Sequence, residues 1–247
     1  MKTRIPILLL ALACVLSLAS CYSGSPHHLY NDFLQTLEET GGMSATTRTV
    51  ISYKIGDEVN RLDTSLTVRY NGDRFYVFSN EVESIYTDGT MYMSHESSKL
   101  KKQSSFAEFE KYAGLSSVYL QFPEISKEAV KKTMLTESGD SRFFTVKLDP
   151  TAMQEFALDV YRKLLYVEND TELADLTVSA VVVTPTFDRD GNIAKLHVKC
   201  EYRQSFTESN HIDVTIDMYY AFVDFGTAPN VEAPADADAY LTIDSFG

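Results

Sequence analysis

The chain has 247 residues, a length that suits one large domain or two small ones. Its formal net charge is -13. A surface this acidic repels nucleic acid and anionic lipid headgroups, so it argues against nucleic-acid binding and makes any membrane contact beyond an anchor apolar rather than polybasic.

Lys2 and Arg4 form a short basic start, and Ile5 to Leu18 an apolar run broken only by Pro6 and Ser17. Leu18-Ala19-Ser20-Cys21 follows directly. The arrangement resembles a bacterial lipoprotein signal, and the apolar run is shorter than the roughly 20 residues of a spanning helix. The resemblance implies that residues 1-20 are cleaved and that Cys21 becomes a lipid-bearing N-terminus with diacylglyceryl and palmitate-type chains. The expected address is the outer leaflet of the cell membrane, or an outer membrane where the envelope has two; Tyr22 is not an acidic retention residue. Cys14 leaves with the signal and Cys21 is acylated, so Cys200 alone remains in the folded part and no internal disulfide forms. The polar residues 21-25 read as a short tether, and 26-247 as a single domain.

Ser25-Pro26 reads as a cap followed by a first-turn proline. Leu29, Tyr30, Phe33, Leu34 and Leu37 then recur at helical spacing until Gly41-Gly42. From about residue 46 the period becomes two. Thr49 to Ile55 and Leu62 to Tyr70 alternate, and Asn71-Gly72 and Asp88-Gly89 mark tight hairpins among segments ending near Ser79, Thr87 and Ser94. Lys99 to Gln103 adds a short polar strand. Ser105 to Tyr112 has helical spacing through Phe106 and Phe109, and Ser126 to Lys131 a short turn. Lys132 to Glu137 and Arg142 to Leu148 read as a hairpin about Ser138-Gly139-Asp140.

Asp149-Pro150 opens the clearest helix, with Met153, Phe156, Ala157, Val160 and Leu164 on one stripe and an Asp159 to Lys163 pair on the other. Three long alternating strands close the domain at Leu176 to Phe187, Ile193 to Arg203 and Asn210 to Phe222. The last 22 residues, rich in Ala, Asp and Pro, read as a loop over a sheet edge.

No pattern of catalysis stands out. Cys200 lies among Leu196, Val198 and Tyr202 on an apolar face, the setting of an inert thiol. The stretch Asp188-Arg189-Asp190-Gly191-Asn192 superficially suggests a calcium loop but lacks the downstream carboxylate, so it reads as a hairpin turn. His27-His28, His95 and His211 have no companions at metal-ligand spacing. No cofactor, metal site or enzyme activity is expected.

The acylated cysteine, the first helix, Tyr70-Asn71-Gly72, Asp88 to Tyr92, the Pro-led helix and the closing run Tyr219 to Gly226 followed by Val231-Glu232-Ala233-Pro234 together resemble the LolA/LolB-like superfamily. The likeness is nearest to LprG/LppX-type lipoproteins. It implies an α+β, mainly β fold: a curved antiparallel half-barrel with helices packed on its concave face and an apolar cavity that takes acyl chains. Leu66, Val68, Phe75, Val77, Met91 and Met93 are the candidates for lining it, methionine adapting readily to flexible chains. The implied function is non-catalytic binding of a lipid or acylated envelope molecule. The alternative is a structural lipoprotein with a solid core that engages another envelope protein. The superfamily's periplasmic carrier is soluble whereas this chain is tethered, which argues against long-range shuttling.

Overall fold

The computed structural model describes residues 26-138, 141-167, 169-188, 192-207, 210-223 and 225-244. The signal, Cys21, the tether, most of the 188-192 turn, the tips at 139-140 and 208-209, and Asp224 lie outside the described residues.

The first element is α1 (Pro26–Thr40). Gly41 ends it at φ +65°, a left-handed conformation that glycine adopts without a Cβ clash. The next residue is already strand, β1 (Gly42–Ile55). A Cβ on Gly42 would stand 2.5 Å from the Tyr70 carbonyl oxygen, so the Gly-Gly pair is a stop and a close approach together. The antiparallel meander continues through β2 (Glu58–Asn71), β3 (Arg74–Ser79), β4 (Val82–Thr87), β5 (Thr90–His95) and β6 (Ser98–Gln103). Gly72 and Gly89, both at positive φ, turn two of its hairpins as the dipeptides require.

Next comes α2 (Phe106–Ala113), whose N-cap Ser105 accepts from the Glu108 amide and whose C-cap Gly114 is left-handed. A 3-10 turn at Ser117–Leu120 follows, a feature with no apolar period to announce it. The hairpin β7 (Val130–Ser138) and β8 (Ser141–Leu148) leads to α3 (Gln154–Leu164). Asp149-Pro150 does not open this helix directly: residues 150-153 form turns, with Asp149 Oδ1 accepting from the Thr151 amide at 2.8 Å. The Asp159–Lys163 pair is present at 2.8 Å. Last are β9 (Leu176–Phe187), β10 (Ile193–Thr207), β11 (Asn210–Phe222) and a two-residue β12 (Leu241–Thr242).

Among the described residues the twelve strands form one sheet, in the order β12-β6-β5-β4-β3-β2-β1-β11-β10-β9-β8-β7. Neighbours are antiparallel except β12, which runs parallel to β6. The tail therefore adds a short strand to the sheet edge instead of only crossing it. The fold is α+β and mainly β, and the sheet is not closed, since β12 and β7 lie at opposite ends of the order.

The centre is the pairing of β1 with β11, strands from opposite ends of the domain. Register puts Ala45, Thr47 and Ile51 opposite Phe222, Tyr220 and Ile216 on one face. Leu196, Val198, Cys200 and Tyr202 of β10 continue that face, and all four are buried. The other face carries polar pairs: Arg48 with Asp63, Arg203 with Asp213, and His197 with Asp217 at 2.7 Å.

The buried face meets all three helices. Phe33 of α1 stacks on Phe225 at 4.9 Å and reaches Phe222 at 5.1 Å. Phe106 and Phe109 of α2 pack on Phe75 and Tyr86. Tyr202 of β10 donates its hydroxyl to the Ala157 carbonyl of α3 at 2.7 Å. Alternating strands with one apolar side gain most when the helices share that side, which removes both apolar surfaces from water.

Candidate functional site

The six side chains expected to meet a ligand are brought together by strand register. Val68 faces Val77, Tyr70 faces Phe75, Tyr86 faces Met91 and Ser84 faces Met93, all on the helix side of the sheet. Leu66, Val68, Phe75, Val77 and Met91 are buried, and Met93 is half-buried against the same core. Phe106 lies over Phe75 at 4.3 Å between ring centres, so aromatic rings of α2 occupy the space above this patch.

Open volume lies at the seams of the helical cover. Between the C-terminal ends of α2 and α3 is a cavity of about 340 Å³, with buried Leu115 and half-buried Val167 as apolar lining. Lys111, Arg162 and Lys163 stand around it together with Glu110 and the largely exposed Tyr166. Three cations at one opening are notable in a chain this acidic. Burial raises the Glu110 carboxyl above its ordinary range, the Lys163 charge opposing the shift, and Glu110 Oε1 is a buried atom with no hydrogen-bond partner. Tyr166 sits at φ +54°, a strained position for a non-glycine residue.

A second opening of about 520 Å³ separates α1 from the 124-129 segment, beside Leu34, Ile125 and Met153. There Asn31 Nδ2 donates to the Ile125 carbonyl at 3.1 Å. A third, of about 430 Å³, runs along α3 past Phe156 and Pro123. On the polar face a groove of about 360 Å³ holds Tyr219 stacked on His197, with ring centres 4.2 Å apart.

The covered face also runs on past its helices. Along β1, Ile51 is buried and Tyr53 half-buried, while Ile55 at the end of the β1–β2 hairpin is exposed, as is Leu62 opposite Ile51.

Four further positions singled out in the sequence are placed by the structure. Cys200 is fully buried, and desolvation pushes its thiol up to about 12, so it holds its proton and is inert. Asp188 accepts from the Asn192 amide at 2.9 Å through Oδ1, as a turn residue does. His95 and His211 are exposed at strand ends. Among the described residues no three His, Cys, Asp or Glu groups converge as metal ligands, and no helix is long and apolar enough to cross a membrane. Sequence reasoning missed Lys111, Leu115, Arg162, Lys163 and Val167, which come together only when two helix ends meet. The available signal was the closeness of Arg162 and Lys163 at the end of an amphipathic helix.

No family model and no curated protein matches this chain. Among solved structures its fold is similar to LprF from Mycobacterium bovis, at 10% identity over 85% of this chain and 98% of that one, with a TM-score of 0.34. It is also similar to a DUF1329 family protein from Desulfovibrio piger (10% identity, 80% and 92% covered, TM-score 0.24) and to a LolA superfamily protein from Nitrosomonas europaea (8%, 78% and 93%, TM-score 0.23).

Proposed function

We propose that this protein is an extracytoplasmic lipoprotein, tethered through lipid on Cys21, that holds the acyl part of a lipid or acylated envelope molecule between a curved half-barrel sheet and the helices on its concave face, without catalysis. The observation that carries the reading is the 340 Å³ opening between α2 and α3, with apolar Leu115 and Val167 inside and Lys111, Arg162 and Lys163 around it. That combination suits an amphiphile with an anionic head. Its volume falls in the range of small-molecule pockets, roughly 300 to 1,000 Å³. Each methylene withdrawn from water contributes about 0.8 kcal/mol, so a chain of ten gains about 8 kcal/mol before ordering costs. Leu66, Val68, Phe75, Val77, Met91 and Met93 lie outside this opening, under α2, and in this reading a long chain reaches them only by displacing Phe106 from Phe75.

The test is native mass spectrometry of the purified domain without its lipid anchor, together with titration by a fluorescent polyene fatty acid. Co-purified lipid adducts or saturable fluorescence support the reading. Absence of both, in a protein that unfolds cooperatively, ends it.

A second reading is favoured by one observation. The edge strand β7 exposes Met134 and Leu135, at 40% and 54%. An open edge with apolar side chains is a template for strand addition by an envelope protein. A photo-crosslinker at Leu135 that captures one defined protein in cells, with no lipid in the domain, selects this reading.

A further inference from the structure

The two hairpin ends at one end of the sheet, β1–β2 and β10–β11, expose large apolar side chains. Strand register places Ile51 opposite Leu62, Ile55 opposite Ile212, and Gln204 opposite Ile212, so β2, β1, β11 and β10 end side by side. At that end Ile55 is 49% exposed and Phe206 58%, with Val59 at 67% on the opposite side of the β1–β2 turn; Leu62, level with Ile51 about 13 Å further back, is 53% exposed. A few strand positions back, Ile51, Tyr202, Val214 and Ile216 are buried. A cluster of large apolar side chains on adjoining hairpin ends marks a contact surface.

We infer that this end docks on the surface of an electrically neutral phospholipid bilayer, with Ile55, Val59 and Phe206 entering the headgroup region. The inference rests on the lipid-tether reading above and adds to it the orientation of the domain. Chain geometry makes the occupant a bilayer. Phe33 of α1 contacts Phe222, the partner of Ala45, and Tyr30 lies by Tyr220, the partner of Thr47, so α1 runs toward the hairpin end as it is followed back to Pro26. Pro26 is then near the level of Thr49, and six strand residues span about 20 Å from there to Ile55. Five tether residues reach at most about 17 Å, and apolar side chains of an interfacial segment sink about 5 to 10 Å. Cys21 is therefore within reach of the surface on which the hairpin end rests.

Charge selects the lipid. Asp57 and Glu58 occupy the turn, and the nearby cations Arg61 and Arg203 are bound by Asp63 and Asp213. Lys54 lies opposite Asp213 and acts on its carboxylate, so the cations at this end face carboxylates of their own and the net charge of -13 repels anionic headgroups.

The experiment uses the mature acylated protein on phosphatidylcholine vesicles, with an environment-sensitive fluorophore at Val59→Cys or, as control, at Phe78→Cys. Phe78 is exposed and pairs with Thr67, about 30 Å of strand away from Ile55. The native Cys200 is too buried to take the label. The expected result is a blue shift at 59, quenched by lipids brominated on their acyl chains and reduced when anionic lipid is added, with no response at 78. Protein that floats with vesicles while both labels stay in water overturns the docking and leaves the tether standing. A mass that shows no acyl group removes the tether, and the response of the unacylated label at 59 to neutral vesicles then decides: a blue shift sustains the inference and silence ends it. A label at 59 already shifted in a dimer without lipid assigns the surface to a second copy and overturns the proposal.

Discussion

The Tyr202 hydroxyl lies 2.7 Å from the Ala157 carbonyl oxygen, and this bond joins a central strand of the sheet to the middle of α3. Both residues are buried, and Tyr161 packs edge-on against the Tyr202 ring at 5.0 Å. Burial holds the phenol well above its ordinary range, the nearby Cys200 adding to the shift, so it remains a donor. Tyr202→Phe leaves the ring and removes the donor. We expect a loss of about 1 to 2 kcal/mol, seen as a melting temperature lower by about 2 to 4 °C per kcal/mol, and faster amide exchange confined to α3. Uniform exchange across the domain would show that the bond does not specifically seat the helix.

Gly41 and Gly42 are adjacent but fail differently when changed. Gly41 has open space around a hypothetical Cβ and needs only its φ of +65°. Gly41→Ala should cost about 1 kcal/mol through backbone strain. A Cβ on Gly42 meets the Tyr70 carbonyl oxygen at 2.5 Å, so Gly42→Ala must part β1 from β2 and cost more. Chemical denaturation of both variants checks the order, and equal losses would contradict it.

Cys200 gives a pH dependence whose sign is fixed. Its thiol is raised to about 12 in the folded chain, against roughly 8.5 when unfolded. Above the unfolded value the unfolded chain releases a proton that the native one keeps, so stability falls as pH rises from about 8.5 toward 12. Cys200→Ala should flatten part of that alkaline slope, and the native thiol should react with thiol reagents only as fast as the domain opens. Denaturation midpoints at several alkaline pH values test the first, and labelling kinetics the second.

Acid acts on different groups. Arg48 holds the Asp63 carboxyl below its ordinary range, Arg203 does the same for Asp213, and the Thr151 amide, with Lys131, does so for Asp149. Depressed carboxylates contribute stability that is present above the ordinary value near 4 and is lost as pH falls through their folded values. Glu110 has the opposite sign, being raised by burial. Glu110→Gln should therefore stabilise the protein slightly at pH 7, and the gain should vanish in acid. A loss at pH 7 would show that the Glu110 charge is satisfied by its cation neighbours.

The opening between α2 and α3 can be filled directly. Val167→Trp places a bulky ring where the acyl chain is proposed to enter. Fatty-acid affinity should fall by at least about tenfold, equivalent to about 1.4 kcal/mol, with little change in melting temperature. Unchanged affinity in a folded variant would place the ligand elsewhere.

The sequence by itself determined the run of strands from β1 to β11, tight turns such as that at Asn71-Gly72, and the inward faces of β10 and β11. Period-two alternation and dipeptides such as Asn71-Gly72 act within a few residues, so they survive without tertiary help. It also determined that Cys200 is buried, because its neighbours two residues away are apolar. Only the tertiary structure decided that β1 pairs with β11, that the tail joins β6 as a parallel strand, and that Lys111, Leu115 and Val167 share one opening. It decided too that Phe106 covers Phe75, a pairing of a helix with a strand some 30 positions before it. The reason is physical: local periodicity fixes which face of an element is apolar. Which apolar faces meet is set by the competition among all of them to leave water within one connected volume.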